Sequence, residues 1–382
     1  MQNTSLHYDY LILGAGLSGL MLAQALVSDP YFKDKRILLL DKSEKNTNDR
    51  TWCFWSENTR DWDAVISKKW ERIAFKGENF SAEIPLDSYS YNKIEGIDFY
   101  ESVFRKLRAS KQLTFKTEAF QSLTETSEYV EVTTSSATYT AGKVFSSILS
   151  PERLKNQTKY PVLQQHFIGW EVRTQEPVFD PEVATFMDFT IPQRGNTRFM
   201  YLLPTAPNKA LVEYTLFSEH LLPDEEYEAA IEDYMEALGA SQYELVSTEK
   251  GSIPMTAYPF EKHNTRRVLH VGTAGGWTRG STGYTFTYTL KRTSELVAFL
   301  KKETNLNTFK IADRYRWYDK LLLDVLYRKN ELGASLFTQM FQKNEIAKIF
   351  RFLDGTSSLK DDLQIIWSLP KKEFIRSFFG LN

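Results

Sequence analysis

Six residues constrain this chain more than any others: Gly14-Ala15-Gly16-Leu17-Ser18-Gly19. The apolar run at residues 8–13 is short and ends in glycine, the pattern of a buried parallel strand. Residues 17–27 read as a helix, and residues 36–40 as a second strand with Asp41 at its end. A strand, a glycine turn, a helix and a second strand within about 35 residues make one βαβ unit. In that setting Gly14 permits the tight turn, Gly16 lets a pyrophosphate approach the backbone, and Gly19 lets helix pack on strand. Ala15 and Ser18 complete the loop, where the helix N-terminus offers unpaired N–H groups to the pyrophosphate. Asp41 is placed to accept hydrogen bonds from ribose hydroxyls. The pattern predicts a doubly wound, Rossmann-like α/β domain that binds a dinucleotide, without separating FAD from NAD.

A second glycine segment, residues 272–286, follows a strand-like stretch and precedes a helix. It could bring backbone amides to a flavin, or be an ordinary loop. The remaining composition narrows the partners. A formal net charge of −2, with no long basic run, suggests no nucleic-acid footprint. Cys53 is the single cysteine, which excludes an intrachain disulfide framework, and the five histidines lack ligand spacing, so no metal is expected. There is no basic n-region and no apolar run of about 18 residues, so neither a signal peptide nor a transmembrane helix is expected. The 14% aromatic share fits either a large core or a pocket lined with π faces.

The rest of the chain divides by pattern. Residues 99–111 look helical, while residues 113–115, 129–134 and 143–147 look like strands. From 160 to 217 the character changes: residues 169–173, 185–191, 197–203 and 210–217 are strand-like, the last two joined through a turn-rich connection at 204–209. This predicts an antiparallel sheet inserted into the nucleotide domain, followed by an acidic helix at 224–238 with Gly239 as its cap. Beyond Ser294 the chain reads as mostly helical, with helices at 309–329 and 336–353. The resulting division is a nucleotide-binding part at 1–155, a substrate sheet at 156–260, a return to the nucleotide domain at 261–300 and a helical region at 301–382.

The order of several motifs resembles the lycopene cyclase family. Asp-Arg-Thr-Trp-Cys-Phe-Trp at 49–55 is similar to that family's Thr-Trp segment, and Phe-Met-Asp-Phe at 186–189 to its Met-Asp motif. Arg-Phe-Met-Tyr-Leu-Leu-Pro at 198–204, then Ala-Leu-Val-Glu-Tyr-Thr at 210–215, resembles its substrate hairpin with the catalytic glutamate. Ser-Thr-Gly-Tyr-Thr-Phe at 281–286 resembles its flavin loop. The resemblance covers about residues 8–300, and more loosely the remainder. One departure stands out: many flavoproteins have Gly-Asp where this chain has Gly272-Thr273, so a ribityl contact through a carboxylate is replaced by backbone or Thr273.

The resemblance implies redox-neutral conversion of lycopene to β-carotene through γ-carotene, with FAD in its reduced form and NADPH or NADH as reductant. Ring closure begins when an acid protonates a terminal alkene. A glutamic acid with pKa about 4.3 is ionised in neutral water, so the acid must be desolvated. Glu213, within an apolar strand, is the candidate acid. Asp188 is the second carboxylate, either catalytic or a hydrogen-bonding residue. Reduced flavin would steady the cation, or shuttle the proton itself. Gly272, Thr282, Gly283 and Tyr284 would contact the flavin; Arg50 would meet its pyrophosphate or a surface acid. Trp52, Phe54, Trp55, Trp277 and Tyr284 are candidates for cation–π contact or for plain packing. A lipid-held substrate implies a cytoplasmic protein in peripheral contact with membrane. The basic–aromatic stretch 370–382 would be the anchor, or a helix docked on the protein. Two rivals remain: another flavoenzyme of this fold, such as a prenyl-chain reductase or hydroxylase, and a carotenoid or nucleotide binder without turnover.

Overall fold

A computed structural model describes residues 7–311 and 314–379. The first strand, His7–Leu13, pairs in parallel with Ile37–Asp41 on one side and Thr138–Ser146 on the other. Leu113–Thr117 extends the sheet in parallel beyond Ile37–Asp41, and Val268–His270 adds in parallel beside the end of Thr138–Ser146. Successive residues of a strand face opposite sides, and the core follows that rule. Tyr10 and Ile12 pack with the helices Leu17–Ser28, Gly96–Arg108 and Phe286–Leu300. Leu11 and Leu13 pack against Val130, Val132 and Tyr139, on the meander formed by Phe120–Glu125, Val130–Thr134 and Thr138–Ser146. This is the Rossmann-like domain that the glycine motif predicts.

The second sheet has seven strands, in the order Tyr243–Met255, Leu163–Thr174, Lys209–Ser218, Thr197–Ala206, Val183–Asp188, Arg72–Gly77 and Phe80–Pro85. Every pairing is antiparallel except that of Val183–Asp188 with Arg72–Gly77. The helix Asp224–Ala237 covers one face, setting Tyr227, Ile231 and Met235 against Trp170, Val212 and Tyr214. The other face carries Tyr201, Leu203, Leu211 and Phe217 toward Phe337, Phe341 and Phe350 of the C-terminal helices. A third, small sheet of Thr51–Ser56, Ser90–Glu95 and Ile66–Trp70 completes the fold.

Several expected elements shift. The 204–209 connection is tighter than expected: strand pairing continues through Pro204 opposite Ala210 and Ala206 opposite Lys209, leaving Pro207 and Asn208 at the turn. Two helices, Gly333–Lys343 and Ile346–Leu353, replace the single helix expected at 336–353. The break comes at Asn344, whose extended backbone (φ −131°, ψ 150°) leaves the helical region. The helix expected from 309 runs Tyr315–Arg328, and the helical region begins earlier, at Phe286. The stretch 370–382 forms the helix Lys371–Phe379, tied to the protein through Lys329 and Glu373 at 2.9 Å, while 380–382 lie outside the described residues. Among the described residues, no helix is long and apolar enough to cross a membrane.

Candidate active site

The glycine motif builds an open cradle. Gly14 adopts φ +98°, a conformation that side chains disfavour, and a Cβ there would strike Ser147. A Cβ on Gly19 would strike the Gly14 carbonyl, so the helix lies directly on the turn. Gly16 caps the helix with no side-chain hydrogen bond, and a Cβ there would meet nothing within 4 Å. The helix start at Gly16 therefore has open space beside it, where an anion could meet the unpaired N–H groups of a helix N-terminus. Asp41 closes one side: its carboxylate accepts from the Ala15 N–H at 2.6 Å and from the Ser43 N–H at 2.9 Å. Ser18 packs against Gly272, where a Cβ would lie 2.7 Å from its hydroxyl oxygen. That contact brings the second glycine segment onto the first.

The second segment then turns toward the antiparallel sheet. The Arg279 N–H donates to the Tyr284 carbonyl at 2.9 Å, and the Gly283 N–H to the Arg279 carbonyl at 2.9 Å. Arg279 is anchored by a buried ion pair with Asp319 at 2.8 Å, a pair with no signature in the sequence. A Cβ on Gly283 would overlap the Gln165 side-chain oxygen. At this junction Gln165 Oε1 and Thr282 Oγ1 are both buried without a hydrogen-bond partner. Buried polar atoms are seldom left so, and a polar group lying along the loop would satisfy both. The cradle at Gly16 and these two orphaned atoms thus fit an extended dinucleotide with its ring end at the sheet.

Glu213 stands on that sheet. Strand register aligns Tyr201, Glu213, Gly169 and Glu249 in one row across four strands. The Glu213 carboxylate accepts from the Thr215 hydroxyl at 2.5 Å. Burial, then the negative charge of Glu249, push its carboxyl well above the usual range. Glu249 is raised by burial too, while the Thr51 hydroxyl, donating at 2.7 Å, and nearby Lys93 and Arg50 favour its charged form. Tyr201, beside Glu213, meets the Tyr91 hydroxyl, which lies 3.2 Å from that of Tyr284. The Cys53 thiol contacts Tyr201, and burial pushes it up to about 12. Burial dominates the rise at Tyr201, Tyr284 and Cys53, which cluster with Tyr91 beside Glu213.

Strand alternation sorts the aromatic candidates. Cys53 and Trp55 face the tyrosine cluster, where Trp55 lies 4.5 Å from the Tyr284 ring and donates to Asp354 at 2.7 Å. Trp52 and Phe54 face the nucleotide core, against Phe99 at 5.2 Å and Phe286 at 4.4 Å. Trp277 is buried in the same core. Arg50 is exposed and donates to the Asp49 carbonyl at 2.9 Å.

Asp188 requires a correction: it does not join Glu213. The irregularity between Thr185 and Asp188 sets it opposite Met200, on the helix-covered face. There it accepts from the Thr190 N–H at 3.0 Å and the Tyr234 hydroxyl at 2.9 Å, and pairs with Lys76 at 3.2 Å. The carboxylate that faces Glu213 is Glu249, which sequence reasoning missed. Its strand is mostly exposed and shows no apolar alternation to mark it as part of a site.

Similarity to known proteins agrees with this construction. The model of the family described as lycopene cyclase protein matches residues 9–378. The chain belongs to the lycopene cyclase family. It is 26% identical to a lycopene beta-cyclase of Paracoccus sp. over 95% of this chain and 94% of that protein. It is 24% identical to a lycopene beta-cyclase of Pantoea ananas, over 95% of each chain. Among solved structures, a flavoprotein/dehydrogenase from Cytophaga hutchinsonii superposes with a TM-score of 0.65 at 11% identity, covering 98% of this chain and 100% of that one. At that identity the likeness speaks for the fold, which is the flavoprotein fold.

Proposed function

We propose that this chain closes β-rings on lycopene, giving β-carotene through γ-carotene by acid-initiated cyclisation without net redox change. The observation that carries the reading is Glu213: a buried carboxyl, pushed toward its acid form by burial, beside a cluster of tyrosines and a thiol. An alkene is a very weak base, so the donor must be an undissociated acid away from water. Glu213 supplies the proton at one alkene carbon, the neighbouring double bond closes the ring, and a proton is lost to form the ring alkene. Tyr91, Tyr201 and Tyr284 wall the site against water, which would otherwise trap the cation as an alcohol. The beta-cyclase names of the relatives support the β-ring outcome.

The cofactor in this reading is FAD, reduced by NADPH or NADH. Gly14, Ala15, Gly16, Ser18 and Gly19 would hold its pyrophosphate and Asp41 its ribose, with Gly272, Thr282, Gly283 and Tyr284 along its ring end. Bound in reduced form, the flavin supplies negative charge beside the developing cation. Arg50 would meet its pyrophosphate or a nearby acid; its charge also acts on Glu249.

The partner surface in this reading is a bilayer. Helix Leu359–Ser368 exposes Leu359, Leu363 and Trp367 at four-residue spacing, one stripe along its outer side. The Lys371 ammonium lies 4.1 Å from the Trp367 ring centre, an arrangement suited to a lipid interface. Behind this helix an apolar cleft, lined by Ile366, Leu369, Met340 and Phe337, reaches Ser281 and Thr282.

Expression in a lycopene-accumulating host tests the reading. The wild-type chain should convert the pigment to β-carotene with γ-carotene as intermediate, and Glu213→Gln should leave lycopene while still retaining flavin. Reduced or oxygenated products, or undiminished turnover by Glu213→Gln, would overturn it.

A further inference from the structure

Two residues on strands that flank a common neighbour lie roughly 10 Å apart at the backbone. Their carboxyls meet only if the strand between them presents no side chain. Gly169 is that gap. A Cβ on it would lie 3.1 Å from Glu249 Cγ and 3.4 Å from Glu213 Cβ, so both side chains lean over the same glycine. Burial raises both carboxyls, and each acts directly on the other. Two buried carboxyls held this close resist ionising together, so the pair favours keeping one proton.

The surroundings decide where that proton rests. Glu249 accepts from the Thr51 hydroxyl and faces Lys93 and Arg50, all of which favour charge. Glu213 accepts from the Thr215 hydroxyl, with Cys53, Tyr201 and Tyr284 as uncharged neighbours. Farther along the same face, Glu171 is occupied by Lys209 at 2.8 Å, and Lys93 also donates to Glu95 at 3.3 Å. Unequal environments separate the roles of two adjacent carboxyls.

We propose that Glu249 is a positioning residue that shares one proton with Glu213 across Gly169, keeping Glu213 in its acid form for the ring closure. The proposal rests on the acid role of Glu213 and assigns its partner. The balance closes within the pair. Glu213 gives its proton to an alkene carbon and a C–H bond forms. The ring C–C bond forms, and a C–H bond next to the cation breaks. Two adjacent carboxylates then regain that proton, because their mutual repulsion makes the pair strongly basic. No electrons are gained or lost.

The test is Glu249→Gln in the full chain loaded with flavin. Removing the anion beside Glu213 makes its ionisation easier, so the alkaline limb of the kcat–pH profile should move down by about one pH unit or more. Turnover near neutral pH should fall about tenfold for each unit. It should recover at lower pH, with KM for lycopene unchanged. Glu249→Asp should restore part of the shift, and Gly169→Ala, which wedges the pair apart, should reproduce it. The infrared carbonyl band of a protonated carboxyl, present in the wild-type protein at neutral pH and absent in Glu213→Gln, should weaken in Glu249→Gln. That band is read without turnover. A uniform loss at all pH values, or an unmoved limb with an unchanged band, overturns the role of Glu249. Failure of the acid reading shows separately, as turnover surviving in Glu213→Gln.

Discussion

Asp354 follows the helix Ile346–Leu353 and ties three parts of the fold together. It accepts from the Trp55 indole at 2.7 Å and from the Thr287 hydroxyl at 2.9 Å. Burial raises its carboxyl from the ordinary 3.8 to about 6, against the lowering effect of those two bonds. At about 1.4 kcal/mol for each tenfold in proton affinity, that rise corresponds to about 3 kcal/mol. The native state therefore keeps this proton up to about pH 6, while the unfolded chain releases it near 3.8. Between those values the native state binds more protons, so its stability falls as pH rises and levels off above about pH 6. Asp354→Asn has no such proton to lose. Urea unfolding of both proteins, followed by tryptophan fluorescence at several values between about pH 4 and pH 7, isolates the contribution. The wild-type stability minus that of the variant should decline by about 2.4 kcal/mol across the range. A difference that stays constant with pH would show that this carboxyl titrates in the fold as it does in water. Because Trp55 borders Tyr284, the same titration bears on the tyrosine cluster beside Glu213.

Gly16→Val should fold with little change in stability, since its backbone is extended (φ −80°, ψ −170°) and a Cβ there meets only open space. It should nevertheless fail to retain flavin, read as loss of the visible flavin absorbance from the purified protein. Asp188→Asn should cost about 1–3 kcal/mol in urea unfolding, because it breaks the pairing with Lys76 and disturbs the Tyr234 bond. Its kcat should match wild type, and a large fall in kcat at unchanged stability would return Asp188 to the reaction.

The glycine motif was legible because its constraints are local: turn, helix start and strand end all lie within one βαβ unit. Glu213 was singled out by the family resemblance; from its residues alone, a glutamate in that strand reads equally as one facing solvent or a salt bridge, and the sheet register is what buries it. Glu249 was not legible, since its partner relation exists only through the register of two strands on either side of Gly169. Asp188 misled for the opposite reason: one irregularity in a strand reverses which face a residue occupies, and nothing in Phe-Met-Asp-Phe marks it. The strands between residues 51 and 95 escaped as well, because their partners Val183–Asp188 and Ser90–Glu95 are fixed by the tertiary fold.

The strand Arg72–Gly77 joins the second sheet beside Val183–Asp188, although residues 113–146 then return to the first sheet and residues 268–270 return to it again. The two bodies are thus interleaved along the polypeptide. Neither can be excised as a contiguous fragment, and a ribosome must pass residue 255 before one sheet is complete and residue 270 before the other. Assembly of this molecule is consequently a late, concerted event dominated by long-range pairings, a regime in which folding is slow and exposed edges await their partners.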